Sequence, residues 1–256
     1  MLIYQSFGQE NGMTTYRAHL ERLIRDHAFQ KDEWTLQSMP AARIEGKGFA
    51  SAQALETPTL LRTIGLGLDK GARGVAIGNG FDPGLWEARE LFDVPILGWL
   101  ETLLSYSLRV GWRVGIICSG NSGPSRISEL IRKYGFHDRT ANPIALSISV
   151  PEIMLAFDSK TIRDQIIDRA KREIEPLQSS QVDVLIVASG ALDVLFESAE
   201  IRELAGLPFI PGLPVLVREL ESAVALADYG VPFISRTGRF KSPPENVRAA
   251  VRFKDE

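Results

Sequence analysis

The chain has 256 residues, 45% of them hydrophobic, with 29 basic and 32 acidic side chains and a formal charge of -3. That size suits one large α/β domain or two intimately packed halves and excludes a small isolated module, while the cancelling charge, without a run of either sign, lacks the footprint of a nucleic-acid binder. A lone Cys118, three scattered histidines (His19, His27, His137), no apolar run of the roughly 20 residues a bilayer requires and no signal-peptide pattern at Met1 lead us to expect a cytoplasmic protein that needs no metal or cofactor and associates with no membrane.

Short apolar or β-branched runs predict strands over 1–6, 33–39, 74–78, 113–118, 143–149 and 182–188. Between them, helical periodicity predicts helices near 13–26, 56–70, 84–91, 99–110, 123–134, 159–175, 198–205 and 214–228, several closing on a glycine such as Gly71, Gly111, Gly135, Gly206 or Gly230. Alternation of this kind implies parallel sheets covered by helices on both faces.

The chain also matches itself. Arg73-Gly-Val-Ala-Ile-Gly-Asn-Gly-Phe-Asp82 is similar to Val182-Asp-Val-Leu-Ile-Val-Ala-Ser-Gly190, each a buried strand breaking into a small-residue loop. A helix, a short Pro-containing run (Asp93–Gly98; Gly206–Gly212) and another helix follow both. The fold expected is therefore α/β, with two pseudo-symmetric doubly wound lobes, each on a parallel four-stranded sheet, and a ligand cleft between them. The expected boundaries are 1–111 for the first lobe, with 231–256 packing back on it, and 112–230 for the second.

Ligands in open parallel sheets bind beyond the carboxyl ends of the strands, where loop amides and helix N-termini are free. The strand-end loops bring candidates there: Ser6 and Gln9 after the first strand, Asn79 with Gly80 and Phe81 after the third, Cys118, Ser119, Asn121 and Ser122 after the fourth, Ser189 and Gly190 after the sixth. Glycines let amides turn towards an anion, and the hydroxyl and amide side chains supply hydrogen bonds. Plainer roles stand beside these: Ser122 or Ser125 capping the helix near Pro124, and Cys118 serving as a small buried hydrophobe.

Several segments, in order, resemble the aspartate/glutamate/hydantoin racemase superfamily: Ala76-Ile-Gly-Asn-Gly-Phe-Asp-Pro-Gly-Leu-Trp-Glu-Ala-Arg-Glu90, Asp93-Val-Pro-Ile-Leu-Gly98, Val187-Ala-Ser-Gly-Ala-Leu192, the opening Ser6-Phe-Gly-Gln9 with Met13-Thr14, and Ser235-Arg-Thr-Gly-Arg-Phe240. The resemblance spans nearly the whole chain, and it implies two α/β lobes with a catalytic cysteine at a strand end in each. Here Asn79 and Ser189 stand at those two positions.

In that superfamily one thiolate removes a proton from carbon and a thiol returns one to the other face. An asparagine amide does not titrate in this way, and an unassisted serine is a far poorer base. The resemblance thus implies an isomerase acting on a small carboxylate or hydantoin-like substrate by carbanion chemistry without the cysteine pair. Asn79, Ser189 and Asp82 are its candidate catalytic residues, and Asp193 is a second nearby carboxylate. Asp82 equally suits capping of a helix that begins at Pro83. The alternatives are a decarboxylase or lyase of the same fold and a non-catalytic binder of small carboxylates. The resemblance also implies a homo-oligomer.

Overall fold

The computed structural model describes residues 1–7, 13–39, 49–120 and 123–250. The first lobe runs β1 (Leu2–Ser6), α1 (Thr14–His27), β2 (Trp34–Ser38), α2 (Ala50–Asp69), β3 (Val75–Ile77), α3 (Leu85–Leu91), β4 (Ile96–Gly98) and α4 (Trp99–Ser107). Its four strands are parallel in the order β2-β1-β3-β4. The second lobe runs β5 (Val114–Ser119), α5 (Gly123–Tyr134), β6 (Ile144–Leu146), α6 (Val150–Asp158), α7 (Lys160–Ile174), β7 (Val184–Val187), α8 (Gly190–Ser198), a short β8/β9 hairpin (Glu203–Leu204 and Leu207–Pro208) and α9 (Gly212–Asp228). Among the described residues no helix is long and apolar enough to cross a membrane.

Side-chain alternation in the first sheet divides the core. Ile3, Val75 and Ile77 pack with Leu60, Ile64 and Leu85 on one face, while Leu2, Tyr4 and Ala76 join the apolar cluster that fills the second lobe. The two lobes therefore share one core. Helix α9 rests on the first sheet, where a Cβ on Gly74 would lie 2.8 Å from Val224. It also meets α4, where a Cβ on Gly212 would lie 2.6 Å from the Trp99 ring. The Trp99 indole N–H donates to the Val187 carbonyl at 2.8 Å, tying α4 of the first lobe to β7 of the second.

The second sheet departs from the expected four strands: it has three, in the order β6-β5-β7. Phe209 forms a single parallel bridge to Leu185, in the place that β4 takes beside β3. Pro208 and Pro211 flank this segment and cannot donate to a ladder, so the fourth position is only a bridge.

Three helices also differ from expectation. Helix α2 begins at Ala50, continuing through Pro58, and α8 starts at Gly190, directly after the Ser189 loop. Residues 198–205 hold no long helix, since Glu200 and Ala205 adopt left-handed φ of 55° and 48° and break the chain direction. The expected strand 143–149 is only Ile144–Leu146, because Ser149 opens α6 with a capping box to Glu152.

Beyond α9, the tail returns to the first lobe. The Arg236 guanidinium donates to the carbonyls of Arg89 (2.8 Å), Glu90 (3.2 Å) and Phe92 (2.6 Å), and Trp86 meets Phe240 edge-on.

Candidate functional site between the lobes

The carboxyl ends of β1, β3, β5 and β7 bring together Ser6, Asn79, Ser119 and Ser189, and the pseudo-equivalent loops after β3 and β7 press on each other. A Cβ on Gly80 would lie 2.2 Å from the Ala188 carbonyl oxygen, and one on Gly190 would lie 3.0 Å from the Gly78 carbonyl oxygen. Backbones approach this closely only where a side chain is missing. The Ser119 hydroxyl donates to the Ser189 hydroxyl at 3.2 Å, and both side chains are partly exposed.

Asn79 shapes its own loop. Its carboxamide oxygen accepts from the Phe81 N–H at 2.9 Å, and its backbone carbonyl accepts from the Asp82 N–H at 2.9 Å. Such an Asx turn leaves the amide NH2 as the group with hydrogen-bonding capacity to spare. Phe81 lies under the Arg126 guanidinium, 4.6 Å from its ring centre, and Arg126 in turn donates to the Gln53 side chain. Ser6 is buried and bonds with the Tyr16 hydroxyl.

Ser189 precedes the first residue of α8 and its side chain makes no capping bond. The first amide of this helix to bond backwards is that of Asp193, to the Ser189 carbonyl at 3.0 Å. The amides of Gly190, Ala191 and Leu192 are thus the donors that a helix N-terminus leaves over, and they carry the positive end of the helix dipole.

The two nearby carboxylates have a structural task. Asp82 adopts a left-handed φ of 44° and is 5% exposed. It accepts from the backbone N–H groups of Leu100 (3.0 Å) and Glu101 (2.9 Å) and from the Tyr134 hydroxyl (3.0 Å). It therefore caps α4, across the lobe, and not the helix that follows Pro83. Asp193, fully buried, accepts from Gly212 (2.7 Å) and Leu213 (3.0 Å) at the start of α9. Burial pushes the Asp82 carboxyl up to about 7 and the Asp193 carboxyl to about 8, against the opposing pull of those backbone hydrogen bonds.

Cys118, expected among the ligand contacts, is turned into the core. It is 1% exposed, its Sγ lies 3.4 Å from the Ile144 carbonyl, and burial pushes the thiol up to about 12. Such a thiol supplies no thiolate near neutral pH. Gln9, Asn121 and Ser122 lie outside the described residues. Among the described residues no three His, Cys, Asp or Glu side chains group as metal ligands.

Sequence reasoning passed over Tyr4, Arg126 and Tyr134, which all bear on this seam. Tyr4 was legible as a polar-tipped side chain on the face of β1 that joins the second-lobe cluster, whereas Arg126 and Tyr134 meet Phe81 and Asp82 only through the docking of the lobes.

The sequence profile of the Asp/Glu/Hydantoin racemase family matches residues 11–220. Comparison with curated protein sequences gives no match. Among solved structures, the chain resembles the allantoin racemase of Klebsiella pneumoniae at 22% identity, with a TM-score of 0.73, covering 95% of this chain and 94% of that one. It resembles the allantoin racemase of Pseudomonas fluorescens at 18% identity and a TM-score of 0.74, covering 95% and 97% respectively. The glutamate racemase RacE1 of Bacillus anthracis follows at 12% identity and a TM-score of 0.61, covering 88% and 81%.

Proposed function

The chain belongs to the Asp/Glu/hydantoin racemase family, and on that footing we propose that it is an isomerase-type enzyme acting on a small carboxylate or hydantoin-like substrate by carbanion chemistry without a cysteine pair. The observation that carries this reading is the Ser119 to Ser189 hydroxyl contact of 3.2 Å beside the unspent amides of α8. A carboxylate or imide oxygen seated there meets several donors in a partly desolvated crevice, and such an arrangement stabilises the negative charge that develops when carbon loses a proton or carbon dioxide.

In this reading Ser189 and Asn79 present hydrogen-bond donors from the two lobes to the oxygen that gains charge, with Ser119 orienting Ser189, and the proton leaving carbon passes to water in the partly exposed crevice. Ser6, Gln9, Asn121 and Ser122 contact the ligand, while Gly80, Phe81 and Gly190 form the walls. Asp82 acts by holding α4, with both its oxygens engaged by backbone N–H groups and the Tyr134 hydroxyl. With no thiolate available, the substrate must contribute acidity of its own. A hydantoin C–H, flanked by a ring carbonyl and stabilised as an enolate, demands less of a base than the α-carbon of a free amino acid. The names of the structurally similar allantoin racemases make allantoin the first compound to try.

A second reading, binding without turnover, is favoured by the engagement of Asp82 and Asp193 in helix caps and by the burial of Cys118. The two separate by following enantiopure allantoin and a 5-substituted hydantoin by circular dichroism, with an arylmalonate monitored for carbon dioxide release. Loss of optical activity faster than in buffer supports the isomerase, and carbon dioxide release supports the lyase. Ligand-induced thermal stabilisation without either supports the binder.

A further inference from the structure

Tyr4 is the anomaly of the seam. It is fully buried, yet among the described residues its hydroxyl has no hydrogen-bond partner. An unpaired buried hydroxyl has lost its hydration with nothing in return, so such groups are rare unless something outside the protein completes them. Its location is specific: a Cβ on Gly78 would lie 2.3 Å from the Tyr4 oxygen, and one on Gly190 would lie 3.7 Å from it. Gly78 precedes Asn79 and Gly190 follows Ser189, so the phenol reaches between the two loops of the site, under the N-terminus of the nine-residue helix α8.

We propose that the Tyr4 hydroxyl is a ligand-contacting donor on the floor of the cleft, giving its O–H to the same carboxylate or carbonyl oxygen that the first amides of α8 hold. The inference rests on the cleft reading above and adds to it a group from β1, an element that otherwise supplies only Ser6. Burial and the neighbouring Tyr16 and Asp193 hold the phenol well above its usual ionisation range, which favours its neutral, donating form. A neutral donor aimed at an oxygen that gains charge is what an oxyanion site requires. Gly78 and Gly190 are the residues that leave the phenol its path, since a side chain at Gly78 would overlap it.

The test is Tyr4→Phe, which removes one oxygen and keeps the ring, with malonate as an anionic probe and hydantoin as a cyclic imide. Without probe, the variant is expected to melt at or above the wild-type temperature, because an unsatisfied buried donor has been removed. With probe, its affinity is expected to fall about tenfold or more, the usual loss for a hydrogen bond to a charged or strongly polar acceptor. A lower melting temperature of the free variant overturns the proposal, since the hydroxyl then has a structural partner. Unchanged affinity overturns it as well. If the wild type binds neither probe, the cleft reading fails and takes this inference with it, whereas failure of Tyr4→Phe alone, with wild-type binding intact and abolished by Ser189→Ala, leaves the cleft reading standing.

Discussion

Asp193 repeats in the second lobe what Asp82 does in the first. Each buried carboxylate accepts two backbone N–H bonds from the first turn of the helix that follows the next strand position, Asp82 from Leu100 and Glu101, Asp193 from Gly212 and Leu213. The two helices so held, α4 and α9, pack on each other at Trp99 and Gly212. The pair therefore anchors both cleft loops to the helices that join the lobes.

This pairing makes stability depend on pH with a definite sign. Both carboxyls have folded pKa values above the ordinary aspartate value of 3.8, at about 7 and about 8. Their stabilising contribution is thus complete below about 3.8 and is lost as pH rises through 7 and then 8. Unfolding free energies from urea titrations are expected to fall between pH 6 and pH 8 by an amount on the order of a few kcal/mol and to level off above that. Asp82→Asn and Asp193→Asn should each flatten the profile while lowering stability near pH 6, because an amide cannot accept both backbone bonds. A profile that is flat in the wild type contradicts the account.

The seam glycines should differ in tolerance. Gly80→Ala sets a methyl 2.2 Å from a carbonyl oxygen of the other lobe and forces backbone movement, whereas Gly190→Ala meets one at 3.0 Å. Gly80→Ala is expected to cost more than about 2 kcal/mol and Gly190→Ala clearly less, in the range of overpacking penalties. Chemical denaturation of the two variants checks the order, and equal costs would show that the loops do not meet as described.

Cys118 should be silent. With its thiol buried and pushed up to about 12, labelling by an aromatic disulfide at pH 8 is expected only at the rate of unfolding, and Cys118→Ala should leave ligand binding unchanged. Rapid labelling of the native protein would reopen the case for a relocated catalytic thiol.

Arg236 holds the tail. Its guanidinium serves carbonyls of Arg89, Glu90 and Phe92 together with the Asp93 carboxylate. Arg236→Ala is expected to cost about 1–3 kcal/mol and to expose residues near 236–248 to limited proteolysis, with ligand affinity unaltered. Loss of affinity instead would place this arginine in the site.

Much of the fold was readable from periodicity, because β3 and β7 are continuous apolar runs, β1 and β5 turn polar only at their carboxyl ends, and most helices carry one buried stripe. Helix α6 was missed although Ser149-Val-Pro-Glu152 carries the capping-box spacing, since the preceding apolar run masked the switch of period. The expected start of the second helix at 56 falls six residues late: α2 begins at Ala50 and runs through Pro58, where Thr57 bonds back to the Gln53 carbonyl at 2.7 Å.

For the site, the strand-end loops could be named from their small residues, but the side chains that cross the lobes could not. Tyr134 reaches Asp82 across 52 residues of sequence, and Trp99 reaches Val187 across 88. Neither spacing leaves a local trace. The roles of Asp82 and Asp193 were hidden for the same reason, since the amides they cap belong to helices 18 to 20 residues onward.

Carbanion chemistry at Ser189 without cysteines would show itself in the uptake of solvent deuterium at the substrate's stereocentre. Allantoin and a 5-substituted hydantoin in deuterated buffer are followed by proton NMR with wild-type protein, Ser189→Ala, and no protein. The wild type is expected to accelerate exchange of the proton at the stereocentre, and Ser189→Ala to remove at least about a hundredfold of that acceleration, the scale of losing one donor at a developing oxyanion. Exchange no faster with wild-type protein than in buffer, in the presence of a ligand that measurably stabilises the fold, would contradict the account and leave a binding protein in its place.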